Sequence, residues 1–253
     1  MRMTRSLGAL ALAGALALAL PLAMPTGGAS AQALTPDQQK HVEDIVKRII
    51  KEQPRLILDA LQEMRRQEEA EAQSKALQAV KTKRDEIVKD PSAPVAGNPD
   101  GDVAVVQFFD YRCPYCKSVA ERVIQTAKKD GKVKLVFKEL PILGPESVFA
   151  SRAALAAHRQ GKYVEVHLAL MNLKERLTDA LTMRVAGGLG LDMEKLKKDM
   201  ASPEISRILE ANTDLAEELN IRGTPAFIIG DQLVPGAVDT ENLEKLIAQA
   251  RKK

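Results

Sequence analysis

Two cysteines, Cys113 and Cys116, are all that this 253-residue chain possesses, and only Pro114 and Tyr115 stand between them. A disulfide closed over so short a loop removes little entropy from the unfolded state. It is a poor brace, so the fold must rest on a buried core. Three uses remain for the pair: redox exchange, part of a metal site, or inert packing.

The compartment bears on that choice. The chain starts MRMTRSLGALALAGALALALPLAMPTGGASAQA, with Arg2 and Arg5 ahead of an Ala, Leu and Gly run over residues 7–20. Pro21 and Pro25 interrupt any helix, and Ala29, Ser30 and Ala31 supply the small residues of a cleavage site. Residues 1–31 are therefore expected to be a secretory signal peptide, with cleavage after Ala31 or Ala33. The apolar run is shorter than the roughly 20 residues of a membrane span. Export leads to an oxidising compartment, where disulfides persist. Loss of residues 1–31 takes away Arg2 and Arg5 and lowers the formal charge from +3 to +1. A chain so nearly balanced shows no basic stripe for nucleic acid.

Residues 32–64 are expected to form a helical segment. Thr35 is a good N-cap and Pro36 suits a first helical turn. Val42, Ile45, Val46, Ile49 and Ile50 share one helical face, and beyond a break at Pro54 so do Ile57, Leu58, Leu61 and Met64. Residues 65–75 are almost wholly polar, as in a helix that bridges solvent, here part of a charged helical linker over 65–90. Two short amphipathic helices cannot bury their stripes alone. They dock on the main domain or pair with copies of themselves, and the polar connector favours the copies.

The main domain is expected over 91–253, its boundary lying in a Pro-, Gly- and Asn-rich loop at 90–102. Val103–Phe109 is a nearly continuous apolar run, as in a buried strand. Residues 113–128 follow as a helix and 132–140 as a second strand. Residues 145–212 are mostly helical, broken at Gly161, Gly187 and Pro203. TPAFIIGDQLVPG (224–236) predicts a hairpin turning at Gly230 and Asp231. A last helix, capped by Asp239 or Thr240, runs to about Arg251. The order is β-α-β, a helical block, then β-β-α.

On this plan Cys113 sits where a strand runs into a helix. Unpaired N–H groups and the macrodipole at that end favour a thiolate, the form that attacks disulfides. Pro114 occupies the first helical position at no hydrogen-bond cost. Cys116 lies one turn on, within reach of Cys113. A structural zinc site wants four ligands, whereas His41, His158 and His167 are all remote in sequence. Two thiolates alone suit Cu(I). Further on, IRGTPAF places Pro225 directly before an apolar strand. A cis peptide there would free the Thr224 backbone to pair with an extended substrate, while a trans proline in an ordinary loop is the commoner case.

FFDYRCPYC, followed by GTPAF more than a hundred residues later, resembles the periplasmic disulfide-bond protein A (DsbA) family. The N-terminal LTPDQQKHVEDIVKRIIKEQPRLILDALQ resembles the oligomerising region of its suppressor-of-copper-sensitivity protein C branch. The resemblance implies an α/β thioredoxin-like fold with an inserted helical domain, preceded by an oligomerising helical segment. It implies a periplasmic thiol:disulfide oxidoreductase with Cys113 as nucleophile and Cys116 as resolving thiol. Pro114, Tyr115, Thr224 and Pro225 support the pair, with no cofactor and no metal. Its partners would be exported proteins bearing thiols or disulfides, a membrane redox partner, and further copies of the chain. One departure is Gln107, six residues before Cys113, where such proteins often carry a buried carboxylate. Glutamine cannot titrate, and Glu139 or Lys138 on the neighbouring strand could take over that role. Several sites in one assembly would favour a disulfide isomerase. A dithiol oxidase and a Cu(I)-binding protein of copper tolerance are the alternatives.

Overall fold

The computed structural model describes residues 33–252, so the expected signal peptide lies outside the described residues. The chain divides into two compact units, one ending at Asp59 and one beginning at Ala60.

In the first unit, α1 (Pro36–Glu52) opens with a capping box. The Thr35 hydroxyl accepts from the Gln38 N–H, and the Gln38 side chain accepts from the Thr35 N–H, which satisfies two amides left over at the helix start. No residue of α1 is buried. Val42, Val46, Ile49 and Ile50 form an exposed apolar stripe, and Leu56, Ile57 and Leu58 at the start of α2 (Arg55–Thr82) are exposed as well. The expected connector at 65–75 is an uninterrupted part of this 28-residue helix. It contains neither Gly nor Pro, and its Ala, Glu, Gln, Lys and Arg are strong helix formers. Its polar surface carries one-turn ion pairs, such as Lys75 with Glu71 at 2.7 Å.

The second unit continues with α3 (Arg84–Val88), β1 (Val95–Gly97), β2 (Val103–Phe109), α4 (Pro114–Asp130) and β3 (Val133–Glu139). Five helices follow: α5 (Pro145–His158), α6 (Tyr163–Met171), α7 (Asp179–Gly188), α8 (Met193–Met200) and α9 (Pro203–Glu218). The chain closes with β4 (Ala226–Ile229), β5 (Gln232–Pro235) and α10 (Thr240–Arg251). The strands form one sheet in the order β1-β3-β2-β4-β5. β2 and β3 are parallel, pairing Val103 with Val133 and Phe109 with Glu139; the other pairings are antiparallel.

Both sheet faces are covered, which is why central β2 is apolar almost throughout. Val105 and Phe109 face a core shared with α4, α10 and the helical block. Val106 and Phe108 face a second core closed by Val80, Ile87 and the end of α9. α4 buries Val119, Ala120, Val123, Ile124 and Ala127 at helical spacing. Each buried Val or Ile of this kind is worth about 1.5–3 kcal/mol. Gly131, at φ +74°, then ends the helix in the left-handed conformation that suits glycine.

Two expectations need correction. The 90–102 loop contains a strand, β1, which three residues following Pro94 do not betray; its pairing with β3 creates it. The helical block runs to Glu218 rather than about 212, because Asn212 lies inside α9 and its amide donates to the Glu139 carbonyl at 3.1 Å. That bond gives a poor helix former a tertiary role.

Candidate active site

The segment before Cys113 is anchored by Asp110. This buried carboxylate accepts from the Arg112 N–H at 2.6 Å and the Ser147 hydroxyl at 2.7 Å through Oδ1. Its Oδ2 accepts from the Leu143 N–H at 2.9 Å. The Cys113 N–H donates to the Asp110 carbonyl at 3.2 Å, which completes a tight turn. Asp110 thus ties the end of β2 to the loop that enters the helical block. Arg112 strengthens the tie, donating to the Leu143 carbonyl and to Glu146. Gly144 makes room for it: at φ +122° a Cβ would lie 2.7 Å from the Arg112 guanidinium. Asp110 was not among the expected site residues, although an Asp ahead of a helix-capping residue is a turn signal.

Cys113 is the N-cap of α4 and Pro114 occupies its first turn. Cys113 is 4% exposed and Cys116 is fully buried; both are free thiols. The Cys113 thiol donates to the Thr224 carbonyl at 3.1 Å. The Thr224–Pro225 peptide is cis, against the commoner trans form. Cys116 lies beside Cys113 and Thr224, and burial pushes its thiol well above the ordinary thiol range. Cys113, Pro114, Cys116, Thr224 and Pro225 are therefore gathered at one place. The Tyr115 side chain stands outward, 68% exposed. Ile142 and Leu143, which no motif marks, are further exposed apolar residues, and Leu143 is joined to this turn through Arg112 and Asp110.

Gln107 is buried on the sheet face that α4 covers, and neither polar atom of its amide has a hydrogen-bond partner within the protein. Lys138 projects from the other face and pairs with Asp90 at 2.6 Å, which sets it apart from the thiols. Glu139 is fully buried. Its Oε1 accepts from the Tyr111 hydroxyl at 2.9 Å and the Tyr163 hydroxyl at 2.8 Å; its Oε2 meets the Ser151 hydroxyl at 2.6 Å. Burial pushes the Glu139 carboxyl up to about 8, although these three donors oppose the shift. Burial and Glu139 also push both tyrosine hydroxyls well up, so they remain donors.

Tyr111 also touches His167 Nδ1 at 3.2 Å. With the tyrosine proton given to Glu139, Nδ1 must carry the donating hydrogen. Burial holds the ring neutral, lowering it to about 3, and leaves Nε2 without a partner. This cluster joins β3, α5 and α6 to Tyr111, two residues before Cys113. Its members are scattered over more than fifty residues of sequence, and no short motif marks them.

A thiol pair at a helix start thus faces the Thr224 carbonyl of a cis Thr–Pro peptide. A thioredoxin-like oxidoreductase from Silicibacter pomeroyi is 46% identical, covering 67% of this chain and 98% of its own, at TM-score 0.66. ScsC from Proteus mirabilis in a transitional conformation is 28% identical, covering 87% of this chain and 98% of its own, at TM-score 0.65. The probable disulfide bond formation protein D of Bacillus anthracis is 28% identical over 170 residues, covering 62% of this chain and 77% of its own. The Na(+)/H(+) antiporter NhaA 3 of Salinispora tropica is 28% identical over 158 residues, of which the chain spans only 24% of the antiporter's length. No helix among the described residues is long and apolar enough to cross a membrane. The DSBA-like thioredoxin domain matches residues 104–248, more than half of the chain and both halves of the site; the chain belongs to the DsbA-like thioredoxin domain family of thiol:disulfide oxidoreductases.

Proposed function

We propose that the protein works in the periplasm and shuffles disulfides in exported proteins, in an assembly held together by its N-terminal helices. The observation that carries the chemistry is the Cys113 thiol, an N-cap group 3.1 Å from the Thr224 carbonyl with Cys116 buried behind it. An extended client placed against the Thr224–Pro225 backbone would present its disulfide to Cys113. The Cys113 thiolate attacks one client sulfur. A Cys113–client disulfide forms, and the other client sulfur leaves as a thiolate and takes up a proton. In shuffling, another client thiolate attacks the mixed disulfide, a new client disulfide forms, and Cys113 leaves as a thiolate. When no client thiolate arrives, Cys116 loses its proton, attacks Cys113 and releases the client reduced. The raised Cys116 thiol makes this escape slow near neutral pH, which gives shuffling time to finish.

The assembly reading rests on α1 and the start of α2. Their apolar residues lie on exposed faces, and contiguous exposed apolar surface marks an interaction site. Export rests on the leader composition. A donor of disulfides is the second reading, favoured by the name of the Bacillus anthracis relative. It would also need a membrane partner to reoxidise the pair.

Recovery of activity from a scrambled-disulfide substrate tests the first reading. The reduced enzyme should restore the substrate without added oxidant. A protein that only oxidises reduced substrate would establish the donor reading. In Cys116→Ser, covalent client adducts should accumulate; their absence would remove the exchange mechanism itself.

A further inference from the structure

A cleft of about 600 Å³ opens beside the thiol pair, and Arg112, Pro114, Lys117, Lys174, Glu175 and Arg176 are among its lining residues. Arg112 and Pro114 are the chain neighbours of Cys113, so the cleft flanks the proposed nucleophile. Any polypeptide joined to Cys113 has this cleft within its first few residues.

The charge lining it is unbalanced. Arg112 and Arg176 share a single carboxylate, Glu146, at 3.0 and 3.4 Å. Lys117 Nζ donates to the Leu173 carbonyl at 2.9 Å, and among the described residues neither Lys117 nor Lys174 has a carboxylate within ion-pair distance. Burial and the nearby Lys174 push the Lys117 ammonium down from its ordinary value, as expected of like charges crowded in a partly desolvated place. The four lining cations thus meet two carboxylates, Glu175 in the lining and Glu146 paired with the arginines, and the low-dielectric walls of a concave site concentrate the field. A basic or neutral occupant would leave that excess uncompensated. A carboxylate would neutralise it.

We propose that this cleft receives an acidic stretch of the client polypeptide, next in sequence to the cysteine under attack, and so makes the enzyme selective for disulfides flanked by Asp or Glu. This rests on the exchange reading above and names its substrate class. The carboxylate sits between Lys117 and Lys174, whose amines lack acid partners, rather than at the arginines that Glu146 already engages. The lysines steer and seat the client; they take no part in the sulfur chemistry.

The test uses three disulfide-bonded peptides that differ only in the residues beside one cysteine: Glu, Ser or Lys. The expected kcat/KM order is Glu, then Ser, then Lys, with a spread on the order of 10-fold at low salt. The spread should shrink as ionic strength rises to about 1 M, where the screening length falls to about 3 Å. In the double variant Lys117→Gln, Lys174→Gln the Glu-to-Lys ratio should drop toward one. Lys174→Gln alone changes only an exposed side chain and should remove part of the ratio even if the double variant is unstable. Lys128→Gln, near the far end of α4, should retain the ratio. Loss of the ratio in Lys128→Gln as well would mean that overall charge is responsible, and would overturn the cleft assignment. Equal rates on all three peptides would overturn the selectivity while leaving the exchange reading intact. No exchange with any peptide would defeat both.

Discussion

Glu139 gives the sharpest test of the interior. Its folded value of about 8 lies above the ordinary 4.5 because burial disfavours the charge. A raised carboxyl means that the folded state holds a proton which the unfolded state has lost. The associated stability is fully present below pH 4.5 and disappears as pH rises toward 8. At about 1.36 kcal/mol per unit, the loss reaches about 3 kcal/mol at pH 7 and about 4 kcal/mol at pH 8. His167 has the opposite sign: its value falls from 6.5 to about 3 by burial, so its contribution is present above pH 6.5 and is lost on acidification. Between pH 4.5 and 6.5 the two slopes cancel. From pH 6.5 to 8 Glu139 acts alone, and stability should drop by about 2 kcal/mol.

Glu139→Gln removes one slope and keeps the contacts. The amide oxygen can accept from both tyrosines, and the Ser151 hydroxyl can turn to accept from the amide N–H. Urea denaturation of both proteins between about pH 5 and pH 8.5 isolates the group, since every other titration is common to the two. The variant should gain on the wild type steadily with pH, by about 4 kcal/mol overall. Two parallel stability curves would show that Glu139 is not held as a neutral acid in the fold, and the reasoning would fail.

Replacing Val46 and Ile49 together by Glu should lower the mass in solution to that of one chain; an unchanged mass by light scattering would refute the assembly reading. Asp110→Ala should cost about 2–5 kcal/mol, because three bonds to one buried carboxylate are lost, and should slow disulfide exchange by loosening the turn before Cys113. Unaltered exchange kinetics would show that the turn holds without it. Gln107→Leu removes two buried polar atoms that have no protein partner and should raise stability by about 1–3 kcal/mol in urea unfolding; a loss would reveal a bond that the fold does not show.

The thiol pair was legible because its chemistry is local. A strand ending in Phe109, a proline after Cys113 and a helical apolar period beyond it are written within about twenty residues. The hairpin turning at Gly230 and Asp231 and the Asp239 cap were legible for the same reason: turn and cap chemistry act over three or four positions. β1 escaped because a three-residue strand has no period, and pairing with β3 alone defines it. The Pro225 isomer could not be settled from GTPAF, since most prolines in such loops are trans. The helix through the polar stretch at 65–75 was legible from propensity; what its polar surface did not reveal is that it continues the helix begun at Arg55 without a break.

The sequence by itself determined the close pair of cysteines, the strand-to-helix step that holds it, and the amphipathic stripes near the N-terminus, because each is set by neighbours a turn or two away. Only the tertiary structure decided that Glu139 is a buried acid beneath two tyrosines, that Asp110 holds the turn before Cys113, and that unpaired cations line the cleft beside it. Those properties depend on desolvation and on distances between residues far apart in the chain, which no local pattern encodes.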